Sequence, residues 1–98
     1  MARRRHSSRY QSNLRSPAWF ALRARHLVRY GADGKACGAT AKIHLHHRTY
    51  INLWHEGANE LVALCEPCHQ AVHRYAKLQR SLTLWQATDR VVKARRAA

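Results

Sequence analysis

Residues 37–50 read C-G-A-T-A-K-I-H-L-H-H-R-T-Y, and residues 61–73 read L-V-A-L-C-E-P-C-H-Q-A-V-H. Within the first stretch, residues 42–47 alternate between polar and apolar side chains, which predicts a short strand. In the second, the apolar residues 61–64 predict another strand. Glu66-Pro67 predicts the start of a helix that runs to about residue 79, because proline favours the first helical turn. The two stretches therefore predict two strands followed by a helix.

The three cysteines have the spacing of a zinc site. Cys65 and Cys68 form C-x-x-C, which lets two thiolates reach one tetrahedral zinc ion, and Cys37 could supply a third. We find no signal peptide in the basic start of the chain. An odd number of cysteines in such a chain argues against a disulfide framework and for metal ligation in a reducing compartment.

Five of the eight histidines lie around these cysteines, and this clustering favours a metal site: His44, His46, His47, His69 and His73. His69 and His73 are four residues apart, so a helix places both imidazoles on one face, where two ring nitrogens can converge on one cation. His46 and His47 lie on the predicted strand. Adjacent side chains of a strand point to opposite faces, so these two can take different roles.

The charge of the chain predicts a polyanionic partner. Its 98 residues carry 18 Lys and Arg against 5 Asp and Glu, a formal net charge of +13. Such a surplus favours nucleic acid over an anionic membrane surface. No apolar run approaches the ~20 residues that span a bilayer, so we expect no membrane span. The length predicts one small domain with a thin core, which a metal would help to stabilise.

Two further helices are predicted on either side of this core. The first begins at Ser16-Pro17 and ends near Gly31. Its packing face is predicted to consist of Phe20, Ala24, Leu27 and Val28. The last helix covers about residues 81–93, with Leu82, Leu84, Trp85, Thr88, Val91 and Val92 as packing candidates. We expect the three tryptophans, Trp19, Trp54 and Trp85, to anchor the core rather than to stack on bases.

The two quoted stretches resemble the zinc-containing branch of the HNH endonuclease family. The resemblance rests on the order and spacing of the cysteines, the His-His pair and C-x-x-C-H, and it extends over about residues 14–90. It implies an α+β fold in which a small ββα-metal (His-Me finger) core, about residues 37–79, lies between an N-terminal and a C-terminal helix and is stapled by zinc. It also implies a flexible basic arm at residues 1–13, a nuclease domain at residues 14–93 and a basic tail at residues 94–98.

The activity that this resemblance implies is hydrolysis of phosphodiester bonds in DNA. His47 would be the general base that takes a proton from the attacking water. His46, His69 and His73 would hold a catalytic divalent ion, either Mg²⁺, Mn²⁺, Ni²⁺ or Zn²⁺, which stabilises charge on the scissile phosphate and the leaving 3′ oxygen. Asn59 or Glu60, near the position of the family's central Asn, would orient the base, and the sequence leaves both open.

The resemblance also implies a structural zinc ion at Cys37, Cys65 and Cys68. The zinc branch carries C-x-x-C before the His-His strand, whereas this chain has Gly34 at the first of these cysteine positions. Two interpretations follow. Either Asp33, a histidine such as His55, or water completes the zinc site, or zinc is lost and the cysteines pack as small buried hydrophobes.

Arginines are the expected contacts to DNA. The candidates for phosphate binding are Arg3, Arg4 and Arg5 in the arm, Arg23 and Arg25 on the first helix, and Arg48 beside the base. The chain shows no evident set of residues for hydrogen bonding to the edges of DNA bases, which predicts weakly sequence-specific or structure-selective binding. The resemblance implies a cytoplasmic protein of a bacterial host, encoded by the bacterium or a phage. A phage packaging protein is a candidate partner by analogy, and monomer and dimer both stay open.

A second interpretation needs no enzyme. A zinc-stapled nucleic-acid-binding module without catalysis would explain both the charge and the missing cysteine. Such a module needs no His-His pair next to a separate pair of histidines four residues apart. The histidines therefore favour the enzyme.

Overall fold

The computed structural model describes residues 14–53 and 55–97. Its elements, in chain order, are α1 (Pro17–Tyr30), β1 (Ile43–His47), a 3-10 helix (Ala58–Glu60), β2 (Leu61–Cys65), α2 (Glu66–Leu78) and α3 (Leu84–Ala97). The two strands form one antiparallel sheet. The predicted α+β class is therefore confirmed, while the predicted basic arm, residues 1–13, and Trp54 lie outside the described residues.

The chain divides into two compact units, Met1–Tyr30 and Gly31–Ala98. In the first unit, α1 begins as the sequence predicts, because the backbone N–H of Trp19 donates to Oγ of Ser16 at 3.2 Å. Gly31 follows its last residue with a φ of +98°, a conformation that glycine adopts without strain. Both ends of this helix are thus fixed by local sequence.

The predicted packing face of α1 is wrong. Phe20 and Val28 are 56% and 87% exposed, whereas Trp19 and His26 are buried. Trp19 and His26 are seven residues apart and so share a helix face. The prediction counted only apolar side chains and therefore missed a face on which a histidine is buried, its ring 4.7 Å from that of Tyr30.

In the second unit, a β-hairpin leads directly into α2. Ile43 pairs with Cys65 and His47 pairs with Leu61. The helix follows β2 without a loop, with Pro67 in its first turn, as the sequence predicts. The buried core of this unit forms between the hairpin, α2 and α3. It consists of Ala36, Leu64, Cys65, Cys68 and Val72, against which Ile43, Val62, Leu84, Val91 and Val92 pack. This arrangement places one face of β1 against α2.

The last helix, α3, begins and ends later than predicted. Thr83 caps its start, since Oγ1 of Thr83 accepts from the backbone N–H of Gln86 at 3.1 Å while Oε1 of Gln86 accepts from the backbone N–H of Thr83 at 2.9 Å. Residues 94–97, predicted as a tail, continue the helix. Arg96 anchors this end by donating from Nε to the carbonyl oxygen of Lys35 at 2.6 Å. None of the helices within the described residues is both long and apolar enough to cross a membrane.

Candidate active site and metal centres

Three histidines from β1 and α2 converge in the second unit. His46, His69 and His73 each bring one ring nitrogen to within 4.8 Å of the others. Nε2 of His69 lies 3.1 Å from Nε2 of His73, and the ring of His46 lies 4.9 Å and 5.3 Å from their rings. His46 is 1% exposed. The structure thus brings together the three histidines that the sequence predicts as ligands of one ion, and we call them the histidine cluster.

A hydrogen bond to α3 sets the tautomer of His46. The hydroxyl of Thr88 donates its single hydrogen to the carbonyl oxygen of Leu84 at 2.7 Å. Oγ1 of Thr88, 2.9 Å from Nε2 of His46, therefore accepts from that ring nitrogen. His46 Nδ1 consequently carries the lone pair, and this buried atom has no hydrogen-bond partner among the described residues. A buried lone pair without a donor is the arrangement expected of a metal ligand.

A fourth histidine, His44, contacts the cluster from outside. Nδ1 of His44 lies 2.9 Å from Nδ1 of His69, and Nε2 of His44 lies 3.9 Å from Oε2 of Glu66. When His69 keeps its lone pair on Nε2, facing His73, its Nδ1–H donates to His44 Nδ1. The remaining N–H of His44 then faces the carboxylate. Such a chain orients a ligating imidazole and raises its basicity.

Burial keeps the imidazoles of His46 and His69 neutral. Removal from water, with His69 and His73 close by, lowers the pKa of His46 from 6.5 to about 2. Burial, followed by the proximity of His73, lowers the pKa of His69 to about 4. A neutral imidazole is the form that binds a metal ion. Two lone pairs 3.1 Å apart repel unless a proton or a cation lies between them, and bonds of about 2.0–2.1 Å to one ion place adjacent nitrogens about 3 Å apart. The donor set therefore fits a divalent transition-metal ion.

The opposite side of β1 carries His47, as the alternation of the strand predicts. Nε2 of His47 lies 2.8 Å from Oε2 of Glu56, and the two side chains are 3% and 2% exposed. The ring of Tyr50 stacks on that of His47 with centroids 5.3 Å apart. Glu56 lies in an irregular stretch without periodicity and is not among the residues predicted from the sequence. The one signal for it was the scarcity of acids, since only five occur in the chain.

The structure brings neither side chain predicted to orient the base to His47. Oε2 of Glu60 accepts from the amide Nδ2 of Asn52 at 2.8 Å. Asn59 is exposed and uses its backbone carbonyl to accept from Arg48 Nη1 at 3.0 Å. Both residues lie on the 3-10 helix. The prediction for Asn59 and Glu60 is corrected accordingly, because Glu56 makes this contact.

Arg48, predicted to grip a phosphate, is held by intramolecular contacts. Its guanidinium lies 3.9 Å from the ring centroid of Trp85 and donates to the carboxylate of Asp89. Its backbone N–H donates to the carbonyl oxygen of Glu60. These contacts join the end of β1 to α3. Of the other predicted phosphate contacts, Arg23 is half-buried and Arg25 exposed on α1, while Arg3, Arg4 and Arg5 lie outside the described residues.

The three cysteines form a second cluster, which we call the cysteine cluster. Sγ of Cys37 lies 3.3 Å from Sγ of Cys65, and one ligand atom of each cysteine lies within 4.8 Å of the others. Cys65 and Cys68 are buried and Cys37 is exposed. Burial raises the pKa of the Cys68 thiol to about 11, whereas a backbone hydrogen bond from Ala39 lowers the pKa of Cys37.

Neither side chain predicted as a fourth ligand joins the cysteine cluster. Within the described residues, the cluster contains the three cysteines alone. Asp33 instead accepts from Nζ of Lys35 at 2.9 Å, and His55 is exposed. The alternatives of Asp33 and His55 are corrected on this geometry, and the alternative of an external ligand stays open.

No family model, curated protein or solved structure matches this chain.

The donor atoms themselves indicate which ions fit. Thiolates in a tetrahedral arrangement select zinc among the common divalent ions, whereas imidazoles suit zinc, copper, iron and nickel. The two clusters share no residue. They therefore provide two separate candidate metal sites of different chemistry.

Proposed function

We propose that this chain is a metal-dependent endonuclease of the HNH type that hydrolyses phosphodiester bonds in DNA. The observation that carries the proposal is the convergence of three imidazoles, one of which, the buried His46, has an Nδ1 without a partner among the described residues, with His47 next to it on the strand. A core that needed only packing would place apolar side chains here. The ββα-metal interpretation of the hairpin and α2 belongs to the same proposal.

His47 takes the role of general base. Because a carboxylate only accepts, the 2.8 Å contact to Glu56 makes Nε2 of His47 the N–H donor and leaves the lone pair on Nδ1. Nδ1 is thus the atom that receives the proton of the attacking water. Glu56 fixes the ring and stabilises the positive charge that develops on the imidazole when it takes up this proton. Glu56 acts through His47 and is a positioning residue.

The histidine cluster supplies the ligands on the other side of the strand. His46 offers Nδ1, while His69 and His73 offer Nε2. Together these three imidazoles would hold a divalent ion, which would supply stabilisation of negative charge on the scissile phosphate and on the leaving oxygen. The net charge of +13 favours binding of a polyanionic substrate, and DNA fits this charge.

A second function is supported by the cysteine cluster. A zinc-stapled module that binds nucleic acid without cutting it would use the same charge and the same three thiols. It would not need His47 to carry a buried carboxylate partner. The two functions therefore differ in what they require of the pair His47 and Glu56.

Cleavage of supercoiled plasmid in Mg²⁺, Mn²⁺, Ni²⁺ or Zn²⁺ tests the proposal. We expect wild type to nick or linearise the plasmid, and His47→Ala to lose at least about 100-fold in rate, as loss of a general base does. His55→Ala is the matched control, because it removes an exposed histidine outside both clusters. Absence of cutting by wild type in every metal would contradict the nuclease proposal and favour the binding module, whereas equal cutting by His47→Ala would show that His47 is not the general base.

A further inference from the structure

An open cavity of about 620 Å³ lies beside the cysteine cluster. Its lining includes Gly34, Cys37, Arg95 and Arg96. Nη1 of Arg95 donates to Sγ of Cys68 at 3.6 Å. The exposed thiol of the cluster, Cys37, therefore borders a solvent-accessible space that is also lined by two arginines.

Gly34 explains why this cluster lacks a fourth protein ligand. Its N–H donates to the carbonyl oxygen of Ala39 at 2.8 Å, and its own carbonyl accepts from the N–H of Gly38 at 2.8 Å. A Cβ at position 34 would lie 3.6 Å from Cβ of Cys65, so the residue stands beside the cluster and contributes no side chain. Three thiolates leave one position of a tetrahedral zinc ion to be filled from elsewhere.

The charges show what kind of ligand suits that position. Zinc with three thiolates has a net charge of −1, and a further singly charged anion would make the net charge −2. Arg95 and Arg96 offset this charge from the cavity wall. Zinc in a thiolate site favours another sulfur ligand, and guanidinium groups bind carboxylates through paired hydrogen bonds.

We infer that the cysteine cluster binds zinc with its fourth position open to this cavity, and that the position accepts a small thiol bearing a carboxylate. The thiol releases its proton to solvent as its sulfur binds the metal, and its carboxylate binds Arg95 and Arg96. No oxidant or reductant takes part. The site is independent of the nuclease function and uses none of its residues.

Cobalt substitution of the full chain under anaerobic conditions tests this inference. Sulfur-to-cobalt charge-transfer absorption reports only thiolate ligands, so it distinguishes the cysteine cluster from the histidine cluster. With mercaptoacetate we expect saturable growth of this absorption by roughly one third, as three thiolates become four. With 2-mercaptoethanol, which lacks the carboxylate, we expect the same growth at concentrations about 10-fold higher. Acetate alone should cause no growth.

Three variants locate the effect. Arg95→Met with Arg96→Met should make the two thiols bind equally. His73→Gln, which removes a ligand of the histidine cluster, should leave the response to mercaptoacetate unchanged. Gly34→Cys should show the larger absorption without added thiol and no further response. In this variant the Cβ would lie 3.0 Å from the backbone nitrogen of Cys65, so the backbone there must shift slightly. The titration of wild type tests the inference even if this variant does not fold.

The contrary outcomes are equally specific. Absence of charge-transfer absorption in the cobalt protein would show that the cysteines bind no metal, and the inference would fail. A spectrum that no thiol changes would mean that the fourth position is already filled. Equal affinity of wild type for both thiols would show that Arg95 and Arg96 do not bind the carboxylate of the ligand. Loss of the response in His73→Gln would place the ligand at the histidine cluster instead.

Discussion

Thr88 on α3 and His46 on β1 are joined by a hydrogen bond of 2.9 Å between Oγ1 and Nε2. Because the hydroxyl of Thr88 donates its own hydrogen to the carbonyl oxygen of Leu84, Nε2 of His46 carries the ring proton and Nδ1 keeps the lone pair. Thr88 is 1% exposed, so water does not replace it in this contact. A helix that contributes no residue to the cluster thus determines which ring nitrogen of His46 keeps the lone pair that an ion could bind.

The first prediction concerns this contact. Thr88→Val has nearly the same shape and lacks the acceptor, so His46 no longer has a fixed tautomer and metal affinity at the histidine cluster should fall about 10–100-fold. Thr88→Ser retains the hydroxyl and should bind metal nearly as wild type does. Isothermal titration with Ni²⁺, in protein whose cysteine cluster has been loaded with zinc, measures the affinity. Equal affinity of the Val and Ser variants would show that the hydroxyl has no part in orienting His46.

The second prediction compares two glutamates. Glu56→Gln keeps a hydrogen-bonding oxygen for Nε2 of His47 and loses the charge that stabilises the protonated ring, so the single-turnover cleavage rate should fall about 10–100-fold. The affinity for DNA should not change. Glu60→Gln is the matched variant, because its carboxylate contacts Asn52 and not His47, and its loss should be much smaller.

The pH profile separates a positioning role of Glu56 from a structural one. Loss of the carboxylate should move the acid limb of the rate profile to lower pH, because the protonated form of His47 loses its partner. A variant that was merely destabilised would cleave more slowly with an unmoved profile. A larger loss in Glu60→Gln than in Glu56→Gln would restore the assignment made from the sequence.

The sequence was sufficient where local patterns decide the structure. Alternation in residues 43–47 placed His46 and His47 on opposite faces, and Ser16, Gly31 and Pro67 determined helix ends through a side-chain cap or their own backbone geometry. The four-residue spacing of His69 and His73 brought both to the histidine cluster. Each of these inferences uses geometry within a single element.

The sequence was insufficient where the contact depends on tertiary packing. Thr88 and His46 are 42 residues apart, and no periodicity relates them. Glu56 reaches His47 from an irregular stretch whose path only the hairpin and the 3-10 helix define. The start of α3 was missed for a different reason. Thr83 and Gln86 form the Thr-x-x-Gln pattern of a capping box, which was visible in the sequence and which their reciprocal hydrogen bonds realise.

The third prediction is acid destabilisation of the metal-free protein. The folded-state pKa values of His46 and His69, about 2 and about 4, lie below the ordinary value of 6.5. At a pH between 6.5 and these folded-state pKa values, the unfolded chain therefore binds protons that the folded chain does not bind. The stabilisation that depends on neutral imidazoles is fully present above pH 6.5 and is lost as pH falls toward 4. The charged or titratable groups near His46 are His47, Arg48, His69 and His73.

Urea unfolding in a chelator at pH 7.5, 6 and 5 measures this effect. The free energy of unfolding should decrease at each step, and His46→Gln should show a shallower decrease. His55→Gln, at an exposed position, should retain the wild-type slope. A free energy of unfolding that stays level or rises between pH 7.5 and pH 5 would contradict the burial of neutral imidazoles.

The fourth prediction assigns Arg48 to stability rather than to phosphate binding. Its guanidinium contacts Trp85 and Asp89, so Arg48→Met should lower the free energy of unfolding by ~1–2 kcal/mol. The slope of log binding constant against log salt should not change. Arg90→Met, at an exposed position of the same helix, is the control for loss of charge. A salt slope reduced by about 0.9 in Arg48→Met alone would mean that Arg48 neutralises one phosphate.

The fifth prediction concerns the arginines near the start of the chain. Replacement of Arg3, Arg4 and Arg5 by Ala should reduce the salt slope of DNA binding by up to about 2.7, because each phosphate contact contributes about 0.9. Since these residues are assigned only to general phosphate affinity, the single-turnover cleavage rate at saturating protein should stay within about twofold of wild type. Replacement of Lys77, Arg80 and Arg90, all exposed, removes the same charge elsewhere. An equal fall in slope for both triple variants would show that total charge, and not the arm, governs binding, whereas a large loss of cleavage rate in the first would place the arm in the catalytic step.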